Sequence, residues 1–278
     1  MTVAAGRSNL QLRVVSGVIL AIAVLVLTWA GGFWYRLLCA IIGGAIFYEW
    51  TGMLMPKERA THRIVLAALF APILLLLLAG WPMVMILAAS GLIFVISAAL
   101  SLSTRNGLWP ALGVLYAGVS AIALAALRGD DSAGLAATLF LFAVVWTTDI
   151  AAYFVGRALG GPKLAPSISP GKTWSGALGG AAGAIILGLA VAILLGATVH
   201  WLSLLVMILA LSAVSQVGDL FESSIKRRCG VKDSSQLIPG HGGVMDRVDG
   251  LVVAAIALFL LGAITVSPEF PAHFLFAG

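Results

Sequence analysis

The stretch "DLFESSIKRRCGVKDSSQLIPGHGGVMDRVDG", residues 219–250, gathers carboxylates, cations and glycines in a chain that is otherwise strongly apolar. Read as a helix at its start, it puts Asp219, Ser223 and Lys226 at spacings of four and three on one face, with Glu222 placed to pair with Lys226. Asp246 and Asp249 follow, three apart at the start of a further helix, where the dipole favours anions. Between them, Gly240, Gly242 and Gly243 let the backbone approach a ligand closely or adopt positive φ. A purely basic loop would need no more explanation than topology or attraction to anionic headgroups. The aspartates oppose that attraction, so among Lys226, Arg227, Arg228, Lys232 and Arg247 they call for a cation of their own. Mg²⁺ fits, because it binds through one or two carboxylates while waters and substrate phosphates complete its shell. Zinc does not, for His241 is the sole histidine of the loop and no cysteine pair accompanies it. The chemistry expected is phosphoryl or nucleotidyl transfer, with basic residues neutralising developing charge. A phosphate monoester nucleophile is already largely ionised at neutral pH and needs no dedicated base.

Two smaller clusters precede this loop. In "TTDIAAYFVGRALGG", Asp149, Tyr153 and Gly156 share a helix face that runs toward Arg157. In "PSISPGKTWSG", Ser167, Ser169, Lys172 and Thr173 lie just before an apolar run, where free N–H groups and a lysine suit a phosphate. Helix capping beside a topology-setting lysine accounts for that segment equally well. The ending "GKT" is not a P-loop: position 166 is proline where glycine is required, and no preceding strand is expected in a helical membrane chain. Glu49, in "FYEWTGM" beside the basic "PKERATHR", reads as a solvated interfacial ion pair of little energetic weight. Its replacement by glutamine should leave substantial activity.

The elements that must position these groups are transmembrane helices. Of 278 residues, 61% are hydrophobic and 10% charged, with mean hydropathy +1.10, against about 25% charged in soluble domains. The fold class is therefore all-α, a polytopic integral membrane bundle. Runs of about 20 apolar residues fall near 14–31, 33–50, 64–80, 82–101, 107–127, 135–156, 173–198, 201–218 and 250–267, giving about nine spans. The first reads as an uncleaved helix, since no small-residue cleavage site follows its basic start. Residues 1–130 read as scaffold, and 131–278 as catalytic helices with cytosolic loops 157–172 and 219–249, in one membrane domain. With the amino terminus inside, all the basic residues except Arg36 and Arg128 face the cytosol, as the positive-inside rule favours. The carboxyl terminus then lies outside. Cys39 and Cys229 suggest neither a disulfide framework nor a metal site. Paired glycines at 31–32, 43–44 and 179–180 suit close helix packing.

The run "SSIKRRCGVKDSSQLIPGHGGVMDRVDG" resembles the signature of the phosphatidate cytidylyltransferases, or CDP-diacylglycerol synthases. Ser223, Lys226, Arg227, Lys232, Asp233, Pro239, Gly240, His241, Gly242, Gly243, Asp246, Arg247 and Asp249 fall in register, and the likeness extends over roughly 145–255. Two positions depart from the pattern: Gly171 replaces a second lysine, and Ser175 a glutamate. The resemblance implies conversion of CTP and phosphatidate to CDP-diacylglycerol and pyrophosphate with Mg²⁺, in a bacterial inner membrane, by a homodimer with no nucleic-acid partner. It implies metal binding by Asp219 and Asp246, with Asp249 in support, and phosphate binding by Lys172, Lys226, Arg227, Lys232 and Arg247. Asp149, Tyr153, Arg157, Ser169, Thr173, Ser223, Asp233, His241, Gly242 and Gly243 are expected as substrate contacts. A CDP-alcohol phosphotransferase is disfavoured, because "DGLVVAA" lacks that family's arginine and no aspartate occurs after Asp249. A secondary transporter with intramembrane carboxylates is the non-enzymatic alternative, and the charge concentrated in one loop argues against it.

Overall fold

The computed structural model describes residues 4–55, 60–102, 107–238, 240 and 242–277, with 4–15 as backbone only. His241 and Pro239 of the signature, and Lys57, Arg59 and Arg105 of the topology argument, lie outside the described residues, as do the side chains of Arg7 and Arg13. All nine expected spans are helices: α1 Ala4–Ala30, α2 Gly32–Leu54, α3 Ala60–Ala79, α4 Met83–Leu102, α5 Trp109–Arg128, α6 Ser132–Leu159, α7 Trp174–Leu194, α8 Trp201–Arg228 and α9 Met245–Thr265. Helices α2 to α9 are each long and apolar enough to cross a bilayer; the apolar part of α1, Ser16–Ala30, is shorter. The protein is an integral membrane protein.

Helix α5 is the enclosed centre. Its run of Ala and Gly presents little side chain, so neighbours approach its backbone on nearly every side and Ala117 through Leu127 are almost continuously buried. The Trp50 indole of α2 packs on Gly113, its Nε1 donating to the Trp109 carbonyl at 2.9 Å. By contrast, α3, α4 and α7 bury only one narrow stripe each and turn the rest outward. Helices α6 and α7 meet along glycines: a Cβ at Gly179 would come within 2.5 Å of Val155, and one at Gly183 within 2.8 Å of Ala151.

At one end of the bundle, Arg128 is 5% exposed, and its Nε donates to the Thr28 carbonyl at 2.6 Å. Beside it, Asp131 caps α6 through Gly134 N–H at 2.8 Å and contacts His273 Nε2 at 2.6 Å. His273 belongs to a 3-10 turn, Pro271–Phe274, whose following residue Leu275 accepts from Thr198 N–H at 2.9 Å. The charged loops gather at the other end.

The expectation that no strand would form is corrected. Between α6 and α7 the chain makes an antiparallel hairpin, β1 Lys163–Ala165 and β2 Ser169–Thr173, entered through Gly160 and Gly161 at positive φ. The chain has left the bundle here, and self-pairing satisfies backbone groups that a helix no longer can. Pro166 sits at the turn, so the rejection of a P-loop stands.

Candidate active site

Helix α8 runs past the expected end of its apolar run to Arg228, carrying Asp219, Glu222, Ser223 and Lys226 beyond the apolar core. The predicted spacing holds: the Ser223 hydroxyl donates to Asp219 Oδ1 at 3.4 Å, and Lys226 Nζ to Glu222 Oε2 at 2.9 Å. Asp249, one turn into α9, completes a group in which ligand atoms of Asp219, Glu222 and Asp249 all lie within 4.8 Å of one another. Glu222 is 1% exposed, and its Oε1 is buried with no hydrogen-bond partner. The remaining Asp219 oxygen, Oδ2, is 2.5 Å from Lys172 Nζ of β2.

Asp246 stands apart from this group. Its carboxylate accepts from Lys226 Nζ at 2.6 Å, Gly243 N–H at 2.8 Å and Ser234 N–H at 2.9 Å, with the Ser234 hydroxyl also at 2.9 Å. These partners fold the loop back onto the start of α9. Glu49 does the same from α2. It is 1% exposed, accepts from Val244 N–H at 2.8 Å and Met245 N–H at 2.7 Å, and lies 2.6 Å from the Ser235 hydroxyl and 3.0 Å from that of Ser234. A helix whose own N-cap residue, Val244, offers no side-chain acceptor is thus capped by another helix. The reading of Glu49 as a solvated ion pair is corrected: burial leaves its charge no solvent, and the Val244 and Met245 N–H groups and the Ser235 hydroxyl replace it, with the Ser234 hydroxyl shared with Asp246. Gly243 is needed here, since a Cβ would come within 2.5 Å of Glu49 Oε1; Gly242 supplies the turn at φ 84°.

Beside the carboxylates, a cleft of about 570 Å³ opens between α6, the hairpin, α7 and α8. Asp149, Tyr153, Arg157, Lys163, Lys172 and Asp219 line it, and Arg157 Nη1 donates to the Tyr153 hydroxyl at 2.8 Å. The other expected contacts are distributed differently. Thr173 also lines the cleft, though it is buried and caps α7 through Gly176 N–H at 3.1 Å, and Ser169 lies in β2 outside the cleft lining. Arg227 reaches the Ile168 carbonyl at 3.3 Å, Arg228 stacks on Trp109 at 4.4 Å, and Lys232, Asp233 and Arg247 are exposed. Ser175, one of the two departures, contacts the Thr173 hydroxyl and the Gly160 carbonyl, closing the base of the hairpin. A second cavity, about 700 Å³, lies at the opposite end near Arg36, Asp130 and Glu269, far from the carboxylate group.

Glu49, Glu222 as a free oxygen donor, and Tyr116 are what the sequence did not reveal. Tyr116 of α5 packs on Phe221 at 5.7 Å between centroids, its hydroxyl buried without a partner and within electrostatic reach of Asp249 and Glu222. Nothing local marks it, since its neighbours in sequence are uniformly apolar.

Fully ionised, Asp219, Glu222, Asp246 and Asp249 with Lys172 and Lys226 leave two negative charges unbalanced. Such a set suits a divalent cation with oxygen preference, and the cleft beside it offers further cations for phosphate.

Comparison with known proteins gives the family. Residues 11–265 match the Cytidylyltransferase family. The phosphatidate cytidylyltransferase of Brucella suis biovar 1 is 50% identical over 273 residues, 97% of this chain and 99% of that protein, and the one from Brucella melitensis biotype 1 matches equally. The phosphatidate cytidylyltransferase of Bacillus subtilis is 39% identical over 153 residues, 55% of this chain and 57% of that protein. No relative among these is a transporter, and that reading is dropped.

Proposed function

The chain belongs to the cytidylyltransferase family; it joins CTP and phosphatidate into CDP-diacylglycerol and pyrophosphate, and we propose that it does so where Asp219, Glu222 and Asp249 meet the hairpin cleft. A phosphate oxygen of the lipid attacks the α-phosphorus of CTP in line, the bond to the β-phosphate oxygen breaks, and pyrophosphate leaves with that electron pair. Positioning and charge neutralisation carry such a step.

The observation that supports this site is the Glu222 Oε1, buried and without a partner among carboxylates that would otherwise repel one another. All three donors are hard oxygens, which fits Mg²⁺. When bound there, Mg²⁺ supplies neutralisation and alignment of phosphate oxygens. Lys226 holds Glu222 in place from behind. Lys172, Lys163 and Arg157 receive phosphate in the cleft, and exposed Arg247 and Lys232 meet the triphosphate at the rim. Asp246, which the sequence assigned to metal, we assign instead to folding the signature loop, because its oxygens are already occupied by Lys226 and two backbone N–H groups. Residues 1–130 serve as scaffold, with Glu49 excepted.

The test is product formation by the detergent-purified protein from phosphatidate, radiolabelled CTP and Mg²⁺. A labelled lipid appears with Mg²⁺ and disappears in excess chelator; full activity in chelator overturns the metal site. We further propose a bacterial inner-membrane location with this site facing the cytosol and the carboxyl terminus outside, resting on the distribution of basic residues. A cysteine at Ser267, in a Cys39- and Cys229-free background, is then labelled by an impermeant reagent from the outside only. The resemblance adds a homodimer, which crosslinking in membranes tests.

A further inference from the structure

The 2.5 Å contact between Lys172 Nζ and Asp219 Oδ2 closes the boundary between the carboxylate group and the cleft. Both side chains are only part-buried, at 25% and 32% exposure, so the contact is able to open. As it stands, the lysine neutralises a carboxylate that the candidate cation group also uses. The cleft beyond it holds two carboxylates, Asp149 and Asp219, facing Arg157, Lys163 and Lys172. An anion entering while Lys172 stays on Asp219 meets Asp149 with only Arg157 and Lys163 of the lining cations free to offset it. If Lys172 turns toward the anion, the same motion adds a cation to the cleft and frees Asp219 Oδ2. The flexible four-carbon stem and compact ammonium of lysine suit such an exchange.

Which substrate carries that anion follows from the cleft's surroundings. Its walls, α6 and α7, turn Phe154 (64% exposed), Leu159 (73%) and Trp174 (54%) outward beside Tyr153 and Arg157. On a membrane-spanning bundle such a surface faces lipid, with the cations at headgroup level. Resting on the site assignment above, we propose that the hairpin cleft takes the phosphate monoester headgroup of phosphatidate, and that Lys172 passes from Asp219 to that phosphate, so that binding of the lipid completes the cation site. By reciprocity the cation must then tighten lipid binding by the same factor.

Direct binding of Mn²⁺, followed by electron paramagnetic resonance of the full-length protein in detergent without turnover, tests this. For the wild-type protein, Mn²⁺ affinity rises about tenfold when phosphatidate is added, and does not rise with inorganic phosphate or with diacylglycerol. Lys172→Gln binds Mn²⁺ in the absence of lipid as tightly as wild type does in its presence, and loses the response to phosphatidate. Lys163→Gln, which alters the cleft without touching Asp219, keeps the weak lipid-free affinity. Tight wild-type binding indifferent to phosphatidate overturns the exchange while leaving the metal site standing. Tightening by CTP alone overturns the choice of occupant. Absence of Mn²⁺ binding in every arm, unchanged by Asp219→Asn, overturns the metal site itself.

Discussion

Glu49 Oε2 accepts the N–H of Met245 at 2.7 Å across 196 positions of sequence. Together with Val244 N–H, this contact makes a carboxylate of α2 the cap of α9, and it sets the height at which Asp249 meets α8. Glu49→Gln keeps one acceptor oxygen but replaces the other with a donor facing donors. Loss of a hydrogen bond to a charged group costs about 1.5–3 kcal/mol. The variant is expected to lose at least tenfold in turnover and to unfold at lower temperature, measured at equal membrane yield by product formation and by a thermal scan in detergent. Wild-type values for both would show that the cap is dispensable.

Glu222 and Asp246 share Lys226 yet are expected to fail differently. Glu222→Gln removes charge from the oxygen left free for a cation, so the Mg²⁺ concentration giving half-maximal rate should rise about tenfold, with activity partly restored at high Mg²⁺. Asp246→Asn loosens the loop through Ser234 and Gly243, which added Mg²⁺ does not repair. A Mg²⁺ titration of both variants separates them; rescue of Asp246→Asn by Mg²⁺ would return that residue to the ligand set.

At the opposite end, Asp131 ties α6 to the carboxyl-terminal turn. Burial pushes its carboxyl up, but the Gly134 N–H, the His273 ring and Arg128 together outweigh burial and hold it below the ordinary carboxylate range. A depressed carboxyl stabilises the fold above its unfolded pKa of about 4 and loses that contribution as pH falls through its folded value. Asp131→Asn should therefore lower the unfolding temperature at neutral pH, with the gap to wild type closing below about pH 4. Thermal scans of both proteins from pH 7 to pH 3 check this. A gap that widens on acidification would contradict the sign.

How much of this was legible in the sequence depended on distance along the chain. The Asp219, Ser223, Lys226 face and the Glu222–Lys226 pair follow from helical spacing, and the structure has both. The nine helices of the described residues follow from apolar runs. Glu49 could not be read this way, because a single glutamate at a helix end looks the same whether water or a distant helix terminus receives it. The contacts of Asp246 were hidden for a related reason: its position at the start of α9 suits a metal ligand, and only the fold brings Lys226, Ser234 and Gly243 to it. The hairpin escaped notice because prolines at 162, 166 and 170 break every periodic pattern, although proline does not prevent a short edge pairing.

The capping of α9 by Glu49 also bears on how the protein is made. Helices of a polytopic chain emerge from the ribosome in order, so α2 enters the bilayer long before α9 exists. Until then the buried carboxylate has none of these donors. A chain interrupted after α8 therefore carries most of the site's charged side chains without the frame that α9 and its cap supply.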